Sequence, residues 1–292
     1  MVRSRTQIPA SILAALMIVA AGSAARAHDA VWSDWPNAPC INAFCPSWLN
    51  DPLFPPIDGE MKMRAYMDAV SLTLDKRIRA TLPKIDGLPR QLLALKYYLS
   101  HTPREIRLGW AWTPQQALRY RKTKEYEAVI AEVEKVKAKF AELNPGYQLR
   151  VSTEIRTLIE QIANWNQMPS VLVASQGLII ECSRAMQDTL YHLPPAPHDL
   201  QRFRTFLAKY RVVVIPTVSV PGLSQHGQLK AFDFVVMKGD RIAAGTESET
   251  IRTAWDRAGW TSKLKEAVRQ SGARFLGPLA SPREPWHYTY AP

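Results

Sequence analysis

The amino-acid sequence predicts an α+β fold: a small, mainly antiparallel sheet late in the chain, backed by helices that come first. Three observations predict it. Apolar residues recur at helical spacing through much of residues 60–143. Runs rich in β-branched and aromatic residues gather after position 147, at 147–152, 211–220 and 231–237. Helical and strand-like stretches are segregated, whereas a parallel sheet needs them to alternate. With 292 residues, 47% of them hydrophobic, the chain can build one large domain or two small ones.

The N-terminus reads as a secretory leader. Arg3 and Arg5 open it, residues 12–21 are apolar, and Ala25-Arg-Ala27 supplies an A-x-A pattern, so cleavage is expected after Ala27 with delivery to the periplasm or medium. The apolar run is too short to span a bilayer, so the mature chain is expected to lack a stable membrane span. Residues 28–146 are read as an irregular wrap followed by a helical extension. Trp32, Trp35 and Trp48 sit in the wrap among prolines, and Cys40 and Cys45 there are close enough to bridge in an oxidising compartment. Cys182 is then left as a small buried hydrophobe.

Tyr66, Val70, Leu74 and Ile78 recur every four residues and predict a helix over 60–82. Pro89 opens a second, over 88–99. The clearest helix is expected over 114–143: Thr113 is a good N-cap, Pro114 suits the first position, and Gln116 completes a capping box. Its stripe of Val129, Val133, Val136 and Phe140 is a core face. Asn144-Pro-Gly146 stops it. A strand at 147–152 follows, then a helix at 157–164, and mostly helical chain over 170–210 broken at Leu193-Pro-Pro-Ala-Pro197. Residues 211–220 and 231–237 read as strands, the second returning through Lys238-Gly-Asp-Arg241 as a hairpin. Helices are expected over 248–258 and 261–271, with Gly272 ending the latter.

Formal charge is +11. A basic chain is compatible with nucleic acid, but no recognition motif is present and the basic residues alternate with acids along helices. Nucleic acid is therefore not the expected partner; the charge is compatible with docking on an anionic envelope polymer, and a solvated basic surface is the favoured reading.

Two short segments hold the chemistry. Ser224-Gln-His226-Gly-Gln-Leu-Lys-Ala231-Phe-Asp233 and Glu284-Pro-Trp286-His287 offer two imidazoles, a carboxylate and a further acid three residues before the last histidine. A catalytic zinc site needs three such protein ligands, an open position for water and a nearby base. His226, Asp233 and His287 are the candidate ligands and Glu284 the candidate base. A loop histidine taken singly is more commonly a hydrogen-bonding group than a ligand, so spacing alone leaves the site open.

The same residues resemble the S-x-H-x-x-G-x-A-x-D and E-x-W-H signatures of the D-alanyl-D-alanine carboxypeptidase/dipeptidase family of zinc peptidases, grouped with lysostaphin and the Sonic hedgehog signalling domain. Val151-Ser-Thr153-Glu-Ile-Arg156-Thr157-x3-Gln161 resembles that family's S-G-Y-R-S-x3-Q stretch, with Thr153-Glu-Ile155 in place of Ser-Gly-Tyr. The resemblance spans residues 147–292, with a helical insertion at about 165–210. It implies zinc as cofactor, peptidoglycan stem peptides as substrate, His226, Asp233 and His287 as ligands, Glu284 as base and Arg156 as the cation facing developing negative charge. It also implies supporting roles for Ser224 and Gln161, and Trp286 and Tyr288 as cleft walls. Leu229 departs from the pattern, standing at the glycine position. The competing expectation is a zinc-stabilised cell-wall binding or scaffold protein without turnover.

Overall fold

The computed structural model describes residues 59–187 and 190–291. The leader and aromatic wrap expected from sequence, and the Cys40/Cys45 pair, lie outside these residues. The fold is α+β, with a five-stranded antiparallel sheet.

The first half is helical: α1 (Glu60–Ser71), α2 (Lys76–Thr81), α3 (Gly87–Leu99), α4 (Pro103–Gly109), α5 (Pro114–Tyr120) and α6 (Lys124–Leu143). Two of the expected continuous helices are each broken by a side chain that caps a new start. Residues 60–82 divide where Asp75 accepts from Arg77 N. Residues 114–143 divide at Thr123, whose hydroxyl accepts from Tyr126 N at 3.2 Å while donating to Tyr120 O at 2.7 Å. Such local side-chain bonds offer the backbone an alternative to continuing the helix.

Strand β1 (Gln148–Val151) leads to α7 (Leu158–Gln167), α8 (Pro169–Met186) and α9 (Pro197–Lys209). Residues 211–220, expected as a strand, form irregular chain instead. Pro216 removes a ladder donor, Val213 is 90% exposed, and Val212, Val218 and Val220 pack on the helices, so no edge pairs with this run. The hairpin β2 (Ala231–Lys238) and β3 (Arg241–Ala244) forms as expected. A 3-10 turn (Ser248–Thr250) and a π-turn (Ile251–Asp256) replace the helix expected over 248–258. Then come α10 (Trp260–Ser271), β4 (Phe275–Leu276) and β5 (His287–Tyr290). Strand order is β1-β2-β5-β4, with β3 also on β2.

Two apolar cores fill the structure. Tyr66, Leu92, Tyr98, Trp165, Leu178 and Phe203 anchor a helical core drawn from α1, α3, α7, α8 and α9. Val133 and Phe140 of α6 join Phe232, Phe234, Trp255, Leu264 and Tyr288 in a second core beneath the sheet. Cys182 is fully buried in the first, its thiol pushed up to about 12 by burial, so it behaves as a hydrophobe.

Candidate metal centre

The sheet sets the first two candidate ligands. Antiparallel register places Asp233 of β2 directly opposite His287 of β5, so their side chains rise from one face as a cross-strand pair. Period-2 alternation sends their neighbours the other way. Trp286 and Tyr288 are 3% and 1% exposed, packed on Trp255 and Phe234. They are core residues, not the cleft walls expected from sequence.

His226 comes from a 3-10 turn, Gln225–Gln228, just before β2. Gly227 is required there by close approach: a Cβ would lie 2.7 Å from Gln161 Nε2 and 2.8 Å from Ala111 Cβ. The turn ends at Leu229 with φ 52 and ψ 36, the one non-glycine in the left-handed region among the described residues. This is the position where the resembled signature has glycine. The strained backbone is retained because the Leu229 side chain is 2% exposed in the core under the sheet.

Arg156 is tied to the same turn, its N–H donating to His226 O at 3.2 Å. Gln161 fastens the two loops together. Its Nε2 donates to Arg156 O at 2.7 Å, and its Oε1 accepts from Gly222 N at 2.8 Å and Ser224 N at 3.3 Å. Helix α7 holds Gln161 in place through a capping box of Thr157 and Glu160. Glu284 is positioned by the turn preceding β5, where its N–H donates to Leu279 O at 3.0 Å and its carbonyl accepts from His287 N at 3.2 Å.

All five predicted residues meet. His226 Nε2 lies 3.3 Å from His287 Nδ1, His287 Nδ1 3.0 Å from Asp233 Oδ1, and His226 Nε2 3.4 Å from Asp233 Oδ2. Ligand bonds of about 2.0–2.1 Å in a tetrahedron put donor atoms about 3.3 Å apart. The three groups are therefore spaced to hold a divalent metal ion with little movement. Glu284 Oε2 is 3.6 Å from His287 Nδ1, and Arg156 Nη2 is 3.5 Å from Asp233 Oδ2.

The electrostatics suit a cation. Burial pushes His226 down to about 4, with Arg156 and His287 adding to the effect against the attraction of Asp233. At neutral pH it is therefore an uncharged imidazole, the form that ligates metals. Burial pushes Asp233 upward, but the His287 hydrogen bond and neighbouring positive charge outweigh it, and its carboxyl stays below the ordinary range. With His226 neutral, that depression rests on His287 and Arg156. Glu284 is pushed up to about 6, first by burial and then by the Asp233 charge. An acid whose pKa approaches neutrality is matched to taking up and returning protons.

Sequence reasoning missed Gln228 and the Leu108–Trp112 segment (residues 108–112). Gln228 Nε2 donates to Leu108 O and Trp110 O at 2.8 and 2.7 Å, and Trp112 N donates to Gly227 O at 3.0 Å. These bonds brace the His226 turn from a segment more than a hundred residues upstream, and no local pattern announces them.

Site and fold together define an α+β chain with a centre able to hold a metal ion beside a half-buried acid and an arginine. Comparison with protein-family models, curated proteins and solved structures returns no match to this chain.

Proposed function

We propose that this chain is an exported zinc peptidase that hydrolyses peptidoglycan stem peptides, as a D-alanyl-D-alanine carboxypeptidase or an endopeptidase of that family. One observation carries the reading: His226, Asp233 and His287 converge at tetrahedral spacing with Glu284 and Arg156 at their rim. The order and spacing of the motifs, the leader-like N-terminus and the basic charge suit an acidic cell-wall substrate.

Two imidazoles and one carboxylate form the ligand set of a catalytic zinc site, with the fourth position open. Bound zinc supplies an electrophile that acidifies water and polarises a carbonyl. Glu284 accepts a proton at its carboxylate and returns it to the departing amine, for which its raised pKa is suited. Arg156, about a third exposed at 36% of its side chain, reaches outward to pair with negative charge developing on the scissile carbonyl or with a substrate carboxylate.

The test is Glu284→Ala assayed on purified muropeptides with zinc present. Loss of the base is expected to lower turnover about 10²–10⁴-fold while zinc stays bound. Unchanged turnover refutes the mechanism. A wild-type chain that carries zinc and cleaves no muropeptide is instead the non-catalytic binding or scaffold protein.

A further inference from the structure

A second cluster stands apart from the candidate centre, at the start of α9. His192 Nδ1 lies 3.2 Å from Asp199 Oδ2, and His198 Nε2 lies 2.9 Å from Asp199 Oδ1. One ligand atom from each of the three residues falls within 4.8 Å of the other two. We infer that His192, His198 and Asp199 form a second, structural site for a divalent transition metal.

The arrangement is more than a surface ion pair. Asp199 is fully buried, while the histidine side chains are 62% and 68% exposed. The carboxylate is thus fixed from below and its two oxygens meet imidazole nitrogens arriving from the solvent side. Two imidazoles and one carboxylate make a borderline donor set, suited to zinc, cobalt or nickel and not to magnesium or calcium. The open outer side leaves room for water to complete the coordination.

Arg202, Ala196 N and the Tyr66 hydroxyl also face the Asp199 carboxylate, and each has to leave room for the ion. Arg202 Nη1 lies 3.4 Å from Asp199 Oδ1 but donates to Leu190 O at 2.6 Å, so its short bond goes to a carbonyl and not to the carboxylate. Ala196 N, at 3.4 Å from Asp199 Oδ2, makes a long contact that leaves the oxygen available. The rings of His192 and His198 are 6.5 Å apart, against 5.0 Å for His226 and His287. The exposed rings therefore close on the ion by side-chain rotation, and the site binds less tightly than the sheet-borne one.

Binding there has a structural consequence. His192 lies in the connection between α8 and α9, and its carbonyl accepts from Tyr66 Oη of α1 at 3.0 Å. An ion held by His192, His198 and Asp199 staples that connection to the first turn of α9 and, through Tyr66, to the helical core.

The experiment titrates the untagged mature chain carrying His226→Ala with Zn²⁺ and repeats it with Co²⁺. This substitution disables the first centre, so the outcome does not depend on the proposed peptidase activity. One equivalent of saturable Zn²⁺ uptake is expected, with a Zn²⁺-dependent rise in Tm. Adding His192→Ala and His198→Ala, with retention of the fold checked by circular dichroism and with His192→Gln/His198→Gln as a second pair that keeps a hydrogen-bond donor beside Asp199, is expected to abolish uptake and the rise together. No uptake by the His226→Ala chain, or uptake that survives the two further substitutions, overturns the second site.

Discussion

Leu229 gives a prediction that runs against the ordinary order of substitutions. Its side chain is buried in the sheet core, and its backbone sits at φ 52. Removing a buried leucine side chain costs about 2–5 kcal/mol. Holding a residue with a Cβ in the left-handed region costs about 1–2 kcal/mol, a strain that Leu229→Ala keeps and Leu229→Gly removes. Glycine's greater unfolded-state freedom takes back about 0.4–1 kcal/mol of that relief. Both variants are therefore less stable than wild type, and Leu229→Gly is the more stable of the two by about 0.8 kcal/mol, the middle of a span of about 0–1.6. Urea unfolding of the metal-free chain, compared at equal m-value, measures the difference. A Leu229→Ala chain more stable than Leu229→Gly refutes the argument that this turn requires left-handed backbone.

Gln161→Met keeps the volume but strands the Arg156 carbonyl and the Gly222 and Ser224 N–H groups, so a loss of about 3 kcal/mol is expected in denaturant unfolding. Because Gln161 positions the loops that carry Arg156 and His226, zinc affinity measured by chelator competition should fall about 10–100-fold; unchanged affinity removes Gln161 from the site's support. The metal-free chain should also show opposed pH effects. His226, depressed from 6.5 to about 4, contributes about 3 kcal/mol that is fully present above pH 6.5 and is lost as pH falls toward 4. Glu284, raised from 4.5 to about 6, contributes about 2 kcal/mol that is present below pH 4.5 and is lost as pH rises through 6. Unfolding with EDTA between pH 4.5 and 6.5 should therefore give wild type a shallow slope and His226→Ala a slope of opposite sign, with stability rising on acidification. Identical slopes contradict the assignment of a neutral His226 depressed by its desolvated setting.

The candidate site residues were legible from the order of the resembling motifs, and for some of them local strand and cap patterns also fix the position. Asp233 lies third in a strand of mostly apolar residues, His287 alternates with two aromatics, and Thr157 caps the helix that carries Gln161. The same alternation, applied to Trp286 and Tyr288, sends them into the core, because side chains flanking a site-facing histidine on a strand point to the opposite face. What local sequence did not carry is long-range. The run at 211–220 has strand composition, yet Pro216 and the lack of a free partner edge leave it as irregular chain on the helical core. Helix α6 lies in the core beneath the sheet, packed against α10, a contact made across more than a hundred residues that no window of periodicity contains. Breaks at Asp75 and Thr123 were hidden because the apolar spacing continues through them, while a single capping side chain decides the backbone.

The most direct test of the account is metal content in the chain with His192 and His198 replaced by alanine, which leaves His226, Asp233 and His287 as its candidate centre. The account predicts one bound zinc per chain after dialysis, lost on adding His226→Ala. A chain that retains no zinc, or retains the same zinc without His226, contradicts it.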